Sequence, residues 1–279
     1  MVAAMTIRKN GWLASLLLLA CPAWAGSYAV IGDAGLWNAK TRGVRDSIHR
    51  ADIHDLVMPG DNLYRGRSYD THWAPWREKG FTFPVVAIGN HNGGYAEEIE
   101  YFGMPGEFYS VHPEPGVLFI VLNSDNTRSI RRQTEFLRKE LTQAREKLIF
   151  VVFHHPFATI SPRHEWEEKE DFHLSTTPLL LAWRNKITAV LLGHDHLATW
   201  FEMDGLQAFV SGAAHEVLAT QPVTGRQRGL RIKTQCLLGS QPSWLRLETD
   251  PKNGIAHFDF IRAQDDTIQC SASLPLRSH

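Results

Sequence analysis

The sequence predicts an α/β fold in which one domain contains two β-sheets. Three observations support this prediction. Short, unbroken apolar runs rich in β-branched residues are bounded by Gly, Pro, Asp or Asn, as expected of strands buried on both faces. Polar segments with helical periodicity separate these runs. After Phe201 the pattern changes to short strands joined by turn residues, which is typical of antiparallel hairpins.

The predicted elements follow in order along the chain. The buried strands cover residues 28–31, 56–58, 83–88, 117–122, 148–153 and 187–192. Residues 131–147 form an amphipathic helix, with charges opposite a face of Phe136, Leu137, Leu141 and Ala144, and residues 177–186 form another. The antiparallel part contains strands at 206–210, 244–248 and 255–261, with turns at 203–205 and 250–254.

The composition is that of a globular protein without a strongly charged surface. Of 279 residues, 43% are hydrophobic and 21% are charged, which suits one large domain. Lys and Arg number 29 against 30 Asp and Glu, so the net charge is −1. No basic field favours a nucleic acid, and we expect no nucleic-acid partner.

The first 25 residues have the pattern of a signal peptide. Arg8 and Lys9 precede a short apolar core at residues 12–20, and Ala23-Trp24-Ala25 resembles a cleavage site before Gly26. The core is too short for a membrane anchor. We therefore expect an exported protein, periplasmic or secreted, whose domain covers residues 26–279. A lipoprotein box ending at Cys21 is a less favoured interpretation, because almost no tether would separate the lipid from the first strand.

Cleavage before Gly26 would leave Cys236 and Cys270 as the cysteines of the mature chain. In an oxidising compartment these two residues can form a disulfide. Two buried free thiols are the alternative, and the sequence pattern does not decide between them.

Polar side chains with metal-binding chemistry follow five of the predicted strands. The motifs are Gly32-Asp33-Ala34-Gly35, Gly60-Asp61-Asn62-Leu63-Tyr64, Gly89-Asn90-His91, His154-His155 and Gly193-His194-Asp195-His196. Each motif alone is ordinary turn chemistry or an ordinary polar pair. Because strand carboxyl ends converge on one crevice in an α/β sheet, the five together predict one site. Seven nitrogen and oxygen ligands exceed a tetrahedral zinc site and suit two ions that share a carboxylate.

In this order the motifs resemble those of the purple (tartrate-resistant-type) acid phosphatases, a branch of the calcineurin-like metallophosphoesterase superfamily. The resemblance covers about residues 28–212. Most of the superfamily has Asp-x-His in the first motif, whereas this chain has Gly35 at the third position and Tyr64 in the second motif. In the purple branch a phenolate replaces the lost imidazole, and a phenolate favours Fe(III).

The resemblance implies a four-layer α/β/β/α sandwich with two mixed β-sheets and a metal site at the carboxyl ends of the strands. It implies hydrolysis of phosphomonoesters, by a metal-activated hydroxide at a dinuclear centre, with a small-molecule phosphate ester as substrate. Asp61 would bridge the two ions. The implied ligands are Asp33, Tyr64 and His196 for Fe(III), and Asn90, His154 and His194 for Fe(II), Zn(II) or Mn(II).

The resemblance also implies catalytic roles for Asn90, His91 and His164. His91 would contact the phosphate or the leaving group, and His164 is offset by one residue from a family histidine with a similar role. Asn92 departs from the Asp or Glu that is usual there, which weakens the expected partner of His91. We interpret residues 161–176 as a substrate-facing loop or lid, with a solvated surface loop as the alternative. His215 either lines the rim of the pocket or is structural.

Two other functions remain compatible with the sequence. The same metal ligands serve a phosphodiesterase or a nucleotide pyrophosphatase, because they do not determine the leaving group. A non-catalytic phosphate- or protein-binding module is the third hypothesis. The complete ligand set argues against that hypothesis, because we expect a degenerate relative to lose ligands first.

Overall fold

The computed structural model describes residues 25–64, 66–239 and 241–276, so Cys21 and all but the last residue of the predicted signal peptide lie outside the described residues. The helices are α1 Ala39–Arg50, α2 Tyr69–Arg77, α3 Tyr95–Phe102, α4 Ile130–Gln143 and α5 Glu170–Ala182, with 3₁₀ turns at Thr127–Ser129 and Trp166–Lys169. The strands are β1 Gly26–Val30, β2 Asp55–Met58, β3 Thr82–Val86, β4 Tyr109–Val111, β5 Val117–Val121, β6 Leu148–Val152, β7 Ala189–Leu192, β8 Ala198–Met203, β9 Leu206–Ser211, β10 Thr224–Gln227, β11 Leu230–Leu238, β12 Ser243–Asp250, β13 Ile255–Arg262 and β14 Thr267–Pro275.

The strands form two mixed sheets. The first has the order β14-β13-β12-β1-β2-β3, with β1, β2 and β3 parallel and the remaining pairs antiparallel. The second has the order β10-β11-β8-β9-β7-β6-β5-β4, with β5, β6, β7 and β9 parallel. Apart from β9, the parallel strands of both sheets are the buried apolar runs that the sequence predicts, so the fold-class prediction is confirmed. The sequence analysis placed β9 in the antiparallel part, and the structure pairs it antiparallel with β8 but parallel with β7.

The layers follow from the alternation of side chains along the strands. In β5, Val117 and Phe119 belong to the core that the second sheet shares with the first. The intervening Leu118 and Ile120 belong to a separate core that contains Leu137 and Leu141 of α4 and Leu180 of α5. On the first sheet, the indole of Trp244 in β12 donates to Ser47 of α1 at 2.8 Å. Helices therefore cover the outer faces of two stacked sheets.

The structure corrects the boundaries of the two predicted helices. They end at Gln143 and Ala182 rather than at residues 147 and 186. The second predicted helix starts at Glu170 rather than at residue 177, so the second half of the proposed loop at 161–176 is helical. Glu170 and Asp171 occupy the first turn, where acidic side chains stabilise the helix dipole. Phe172 is buried and contributes to the core against the sheet. The charged first turn resembles a loop in the sequence, although tertiary packing makes it helical.

Cys236 of β11 and Cys270 of β14 form a disulfide, with 6.5 Å between their Cα atoms. Since β11 and β14 belong to different sheets, the bond joins the two sheets. Of the two alternatives that the sequence leaves open, the structure has the paired cysteines.

Within the described residues, none of the helices combines the length and the apolar character that crossing a membrane requires.

Candidate metal centre

The loops that follow β1, β2, β3, β6 and β7 meet at one edge of the sandwich. The two sheets are joined there by Gly32, whose N–H donates to the carbonyl of Ser211 at the end of β9 (2.7 Å). The predicted ligands touch one another in this crevice. The contacts are Asp61–His154 (3.1 Å), Asn90–His154 (3.1 Å), Tyr64–Asp61 (3.1 Å), Asp33–His196 (3.6 Å) and Asp33–His194 N–H (2.8 Å). All seven predicted ligands are therefore brought together.

Four of these residues have a left-handed backbone conformation. The φ angles are 55° for Asp33, 57° for Asp61, 69° for His194 and 52° for His196. Non-glycine residues rarely adopt this conformation, and it persists where the surrounding structure holds it. The turns are held by backbone bonds such as Asp33 N–H to the Gly60 carbonyl (3.0 Å). Four such residues gathered in one crevice are typical of a functional site.

The two aspartates are buried carboxylates at the centre of the crevice. Asp33 is 0% and Asp61 is 1% exposed. The backbone N–H of His91 donates to Oδ1 of Asp61 at 2.8 Å. Gly89 leaves the space for this carboxylate, because a Cβ at position 89 would lie 2.2 Å from Oδ1 of Asp61. The sequence at these loops therefore makes room for two carboxylates that water does not solvate.

The donor atoms of the crevice fit a cation. Nδ1 of His154 contacts the Pro59 carbonyl at 2.9 Å, so this nitrogen carries a proton, and Nε2 is the nitrogen at which a metal ion could replace a proton. Nε2 faces Oδ1 of Asp61 and Oδ1 of Asn90, both hydrogen-bond acceptors. Oδ1 of Asp33 is buried and has no hydrogen-bond partner in the described part of the chain. Donor atoms of Asp33, Asp61 and His154 all lie within 4.8 Å of one another.

Proton binding partly compensates these charges. Burial opposes the charged imidazole of His154, but Asp61, Asp33 and the Pro59 carbonyl together outweigh burial and raise the pKa of His154 to about 9. Burial would raise the pKa of Asp61, yet His154 and the His91 N–H together hold it below its ordinary value. Burial raises the pKa of Asp33 well above the usual range. Positive charge close to these carboxylate oxygens therefore stabilises the site. A bound metal ion would supply such a charge.

Tyr64 belongs to the same group of contacts. Its hydroxyl donates to Oδ2 of Asp61, and its ring stacks on His91 with 4.6 Å between ring centroids. Burial, with Asp33 and Asp61 adding to it, raises the pKa of the Tyr64 phenol far above its ordinary value. A phenolate at this position would therefore need a cation close to its oxygen.

Gly35 stands where most of the superfamily has histidine, and the structure gives a reason for the glycine. A Cβ at position 35 would lie 2.4 Å from the backbone nitrogen of Leu63, so the chain after Asp61 fills the space of a side chain. The N–H of Gly35 donates to the Asp61 carbonyl at 2.9 Å, and its carbonyl accepts from the N–H of Tyr64 at 3.2 Å. The loop that brings Tyr64 into the crevice therefore has no room for an imidazole at position 35.

Two carboxylates that the sequence analysis missed complete the site. Glu168 accepts from Nε2 of His194 at 3.0 Å, and Glu216 lies 3.3 Å from Nδ1 of His196. Burial lowers the pKa of His194 to about 4 and that of His196 to about 3, so both rings are neutral, as metal ligation requires. Carboxylates in this position orient ligating histidines. Their only signal in the sequence is their proximity to His164 and His215.

The first part of the loop predicted at 161–176, residues 161–169, covers this side of the crevice. The His164 ring lies 4.0 Å from the His194 ring, and Nδ1 of His164 contacts Glu168 at 3.3 Å. Arg163 donates to both oxygens of Glu216, at 2.7 and 2.8 Å, and lowers the pKa of Glu216 to about 2. The first half of the segment therefore contacts the site, as the lid interpretation expects.

The structure also places His91, Asn92 and His215, which lie beside the proposed ligands. His91 is exposed beside Asn90, with its ring on Tyr64. Asn92 donates to the Gly89 carbonyl (2.8 Å) and accepts from the N–H of Gly94 (2.9 Å), so its amide stabilises the loop. A carboxylate at position 92 would lose the first of these bonds. His215 bonds the Asp33 carbonyl at 2.5 Å through Nδ1 and packs on Tyr64 and His196, so it both supports and lines the site.

The family model of the calcineurin-like phosphoesterases matches residues 27–198, and the chain belongs to this family. Membership in the family indicates metal-dependent phosphoester hydrolysis at a dinuclear centre, and the clustered Asp and His side chains suit metal binding. A comparison with curated protein sequences finds no match.

Several solved structures are similar in fold. GAP50, described as the anchor in the inner membrane complex of Plasmodium, is 15% identical, with a TM-score of 0.72 over 91% of this chain and 89% of its own. A purple acid phosphatase from yellow lupin seeds is 14% identical, with a TM-score of 0.67 over 90% and 53% of the two chains. A dimetal phosphatase from Danio rerio is 12% identical, with a TM-score of 0.60 over 91% and 99%.

Proposed function

We propose that this protein is a phosphomonoesterase of the purple acid phosphatase type. The observation that carries the proposal is the joint arrangement of Tyr64 and Gly35. The Tyr64 hydroxyl reaches the buried Asp61 carboxylate at 3.1 Å, while the backbone near Leu63 fills the place of a side chain at position 35. The crevice therefore has a phenol as a candidate ligand, while the first motif supplies no imidazole. The solved structure from yellow lupin, named a purple acid phosphatase, supports the same assignment at the level of the fold.

The ligand assignment follows the contacts in the crevice. Asp33 and His196, 3.6 Å apart, would hold Fe(III) together with Tyr64. Asn90 and His154, 3.1 Å apart, would hold Fe(II), Zn(II) or Mn(II) together with His194. Asp61 contacts His154 through Oδ1 and Tyr64 through Oδ2, so its two oxygens point to the two groups of ligands. This division supports a bridging role for Asp61.

The ions would supply Lewis acidity, which acidifies water and neutralises charge on a phosphoryl group. The protein residues have separate tasks. Glu168 and Glu216 orient His194 and His196. His91 is exposed beside Asn90 and is placed to donate a proton to the leaving group or to bind a phosphoryl oxygen. His164, against His194, extends this surface on the other side.

Two alternatives remain distinct from this proposal. A phosphodiesterase would use the same ligands, and comparing turnover of p-nitrophenyl phosphate with that of its bis ester separates the two activities. A non-catalytic module is the other alternative, since the similar structure of GAP50 is described as an anchor. The complete set of converging donors favours hydrolysis. Turnover of neither ester by the metal-loaded protein would decide for the module.

The colour of the oxidised protein tests the phenolate. We expect two metal ions per chain, and a visible charge-transfer band that Tyr64→Phe abolishes even if iron stays bound. Tyr28→Phe is the control, because the Tyr28 hydroxyl bonds Glu114 at 3.1 Å, outside the group of ligands, and the band should persist. An active wild-type protein with two zinc ions, which stays colourless after iron reconstitution and is unaffected by Tyr64→Phe, would contradict the proposal.

We further propose that the protein is exported and begins at Gly26. The Cys236–Cys270 disulfide supports an oxidising compartment, because such bonds are rare in reducing ones. Mass spectrometry of the protein from its native cell should find Gly26 as the first residue. An uncleaved N-terminus, or a lipid on Cys21, would overturn this proposal.

A further inference from the structure

A cavity of about 720 Å³ lies beside the candidate metal centre, between α5 and the hairpin of β10 and β11. Its walls are mainly apolar, with Phe157, Trp166, Leu181, Met203 and Leu230 among the lining side chains. Cavities of this size and character bind organic molecules. At its rim Leu174 is 60% exposed, which is unusual for a large apolar side chain and extends the apolar surface outward.

The charged and amide groups of the wall already have partners. The guanidinium of Arg228 lies 4.1 Å from the centroid of Trp166 and forms an ion pair with Glu167. Gln227 donates to the carbonyl of Thr159 at 3.0 Å. These bonds hold the wall in place and leave apolar surface for a ligand.

Two imidazoles supply the polar atoms of the cavity. Nδ1 of His173 and Nε2 of His164 are buried without a hydrogen-bond partner among the described residues. Burial lowers the pKa of His173 to about 3, so its ring is neutral and suits an uncharged ligand group. An apolar cavity with few convergent polar atoms is the usual form of a small-molecule site.

His164 connects the cavity to the metal centre. It lines the cavity, and its ring centroid lies 4.0 Å from that of His194 and 6.0 Å from that of His196. His164 therefore contacts both the cavity and the proposed metal ligands. A phosphate ester with its phosphoryl group among those ligands would extend past this imidazole to place its organic group in the cavity.

We propose that the cavity binds the organic group of the substrate, and that the substrate is a phosphate ester of a bulky apolar alcohol. This inference rests on the proposed function and names its substrate class. Burying apolar surface stabilises the bound ester in proportion to the area removed from water. A small polar alcohol, such as glycerol, would leave the cavity unfilled.

A series of alkyl phosphates tests this substrate class. We expect kcat/KM of the metal-loaded protein to rise from butyl to hexyl to octyl phosphate, by up to about fourfold for each buried methylene. Glycerol 3-phosphate should be the poorest substrate. Leu181→Trp narrows the cavity and should flatten the rise of kcat/KM with chain length.

A matched pair of surface variants avoids the risk that Leu181→Trp disturbs folding. Leu174, 60% exposed, lines the cavity, whereas Ile268, 52% exposed, lies on β14. Leu174→Gln should flatten the rise with chain length, and Ile268→Gln should leave it unchanged. Equal rates for octyl and glycerol esters, unaffected by Leu181→Trp and Leu174→Gln, would overturn the inference while the proposed function stands.

Calorimetry with octylphosphonate separates the two proposals. If the protein hydrolyses no phosphate ester, the proposed function fails, and binding of the phosphonate still reports on the cavity. Binding that Leu181→Trp and Leu174→Gln weaken, and Ile268→Gln does not, would support the cavity as an apolar site. Binding that is equal in all four proteins, or not detected in any, would overturn it.

Discussion

At the scale of single residues, Asp61 joins the two groups of proposed ligands. Its buried carboxylate contacts His154, Tyr64 and the His91 N–H at 3.1, 3.1 and 2.8 Å. We expect Asp61→Asn to lower the content of both metals together, because the amide removes one charge from both groups. Turnover should fall by more than the about 10–100-fold that loss of an outer partner produces.

Metal analysis and turnover of p-nitrophenyl phosphate check this prediction in parallel. Asp52→Asn is the control, because the Asp52 side chain is 97% exposed, and it should match the wild type. Two tightly bound ions and near-normal turnover in Asp61→Asn would show that Asp61 does not bridge.

Glu98 gives a prediction about pH at the same scale. Burial raises the pKa of this fully buried carboxyl to about 8, although a bond from the Asn62 amide (2.6 Å) opposes the rise. Between its ordinary value of 4.5 and about 8, the folded state holds a proton that the unfolded state has lost. The free energy of unfolding should therefore fall as pH rises through this window, with a slope of about 1.4 kcal/mol per pH unit from this group.

Denaturant unfolding of wild type and Glu98→Gln from pH 5 to pH 8 measures the contribution. We expect a flatter pH dependence in the variant, because glutamine keeps the shape and does not titrate. Glu97→Gln, on the exposed part of α3, should leave the wild-type slope unchanged. Parallel curves for wild type and Glu98→Gln would show that Glu98 is not protonated in the folded state.

At the scale of elements, the carboxylate of Glu168 holds the 3₁₀ turn before α5 against the candidate metal centre. Oε1 of Glu168 accepts from the Glu165 N–H (2.9 Å) and contacts His164, while Oε2 accepts from His194. The Glu168 side chain thus caps the 3₁₀ turn and also orients the proposed ligand His194. The His194 bond lowers the pKa of Glu168 to about 2, so the carboxylate is ionised throughout the physiological range.

We expect Glu168→Gln to weaken metal binding by about 10–100-fold, because the amide is a poorer partner for the His194 ring. Competition with a chelator measures the dissociation constant, and circular dichroism checks that the fold is kept. Glu135→Gln, 60% exposed on α4, is the control. An unchanged dissociation constant in Glu168→Gln would limit Glu168 to a structural role in its turn.

At the scale of the whole molecule, the disulfide is a covalent link between the sheets, across a sequence separation of 34 residues. Cys236→Ser with Cys270→Ser should lower the free energy of unfolding by about 2–4 kcal/mol. A reductant should lower the Tm of the wild type and leave that of the double variant unchanged. Equal stability of the two proteins without reductant would contradict a stabilising bond.

The sequence by itself determined the buried parallel strands and the residues that end them. Apolar runs such as 148–153 keep their structure because both faces are buried, and the polar residue that follows each run is set by chain order. Parallel strands bring their carboxyl ends to one edge, so Asp33, Asp61, His154 and His194 meet without any long-range information in the sequence.

Only the tertiary structure decided which side chains support the proposed metal ligands and where the apolar cavity lies. Glu168 reaches His194 across 26 positions, and Arg163 reaches Glu216 across 53, through side chains whose spacing no local pattern records. The first turn of α5 is helical because Phe172 packs in the core, and the apolar cavity exists because α5 faces a hairpin distant in sequence. Local periodicity encodes elements and their ends, whereas contacts between elements depend on how the faces pack.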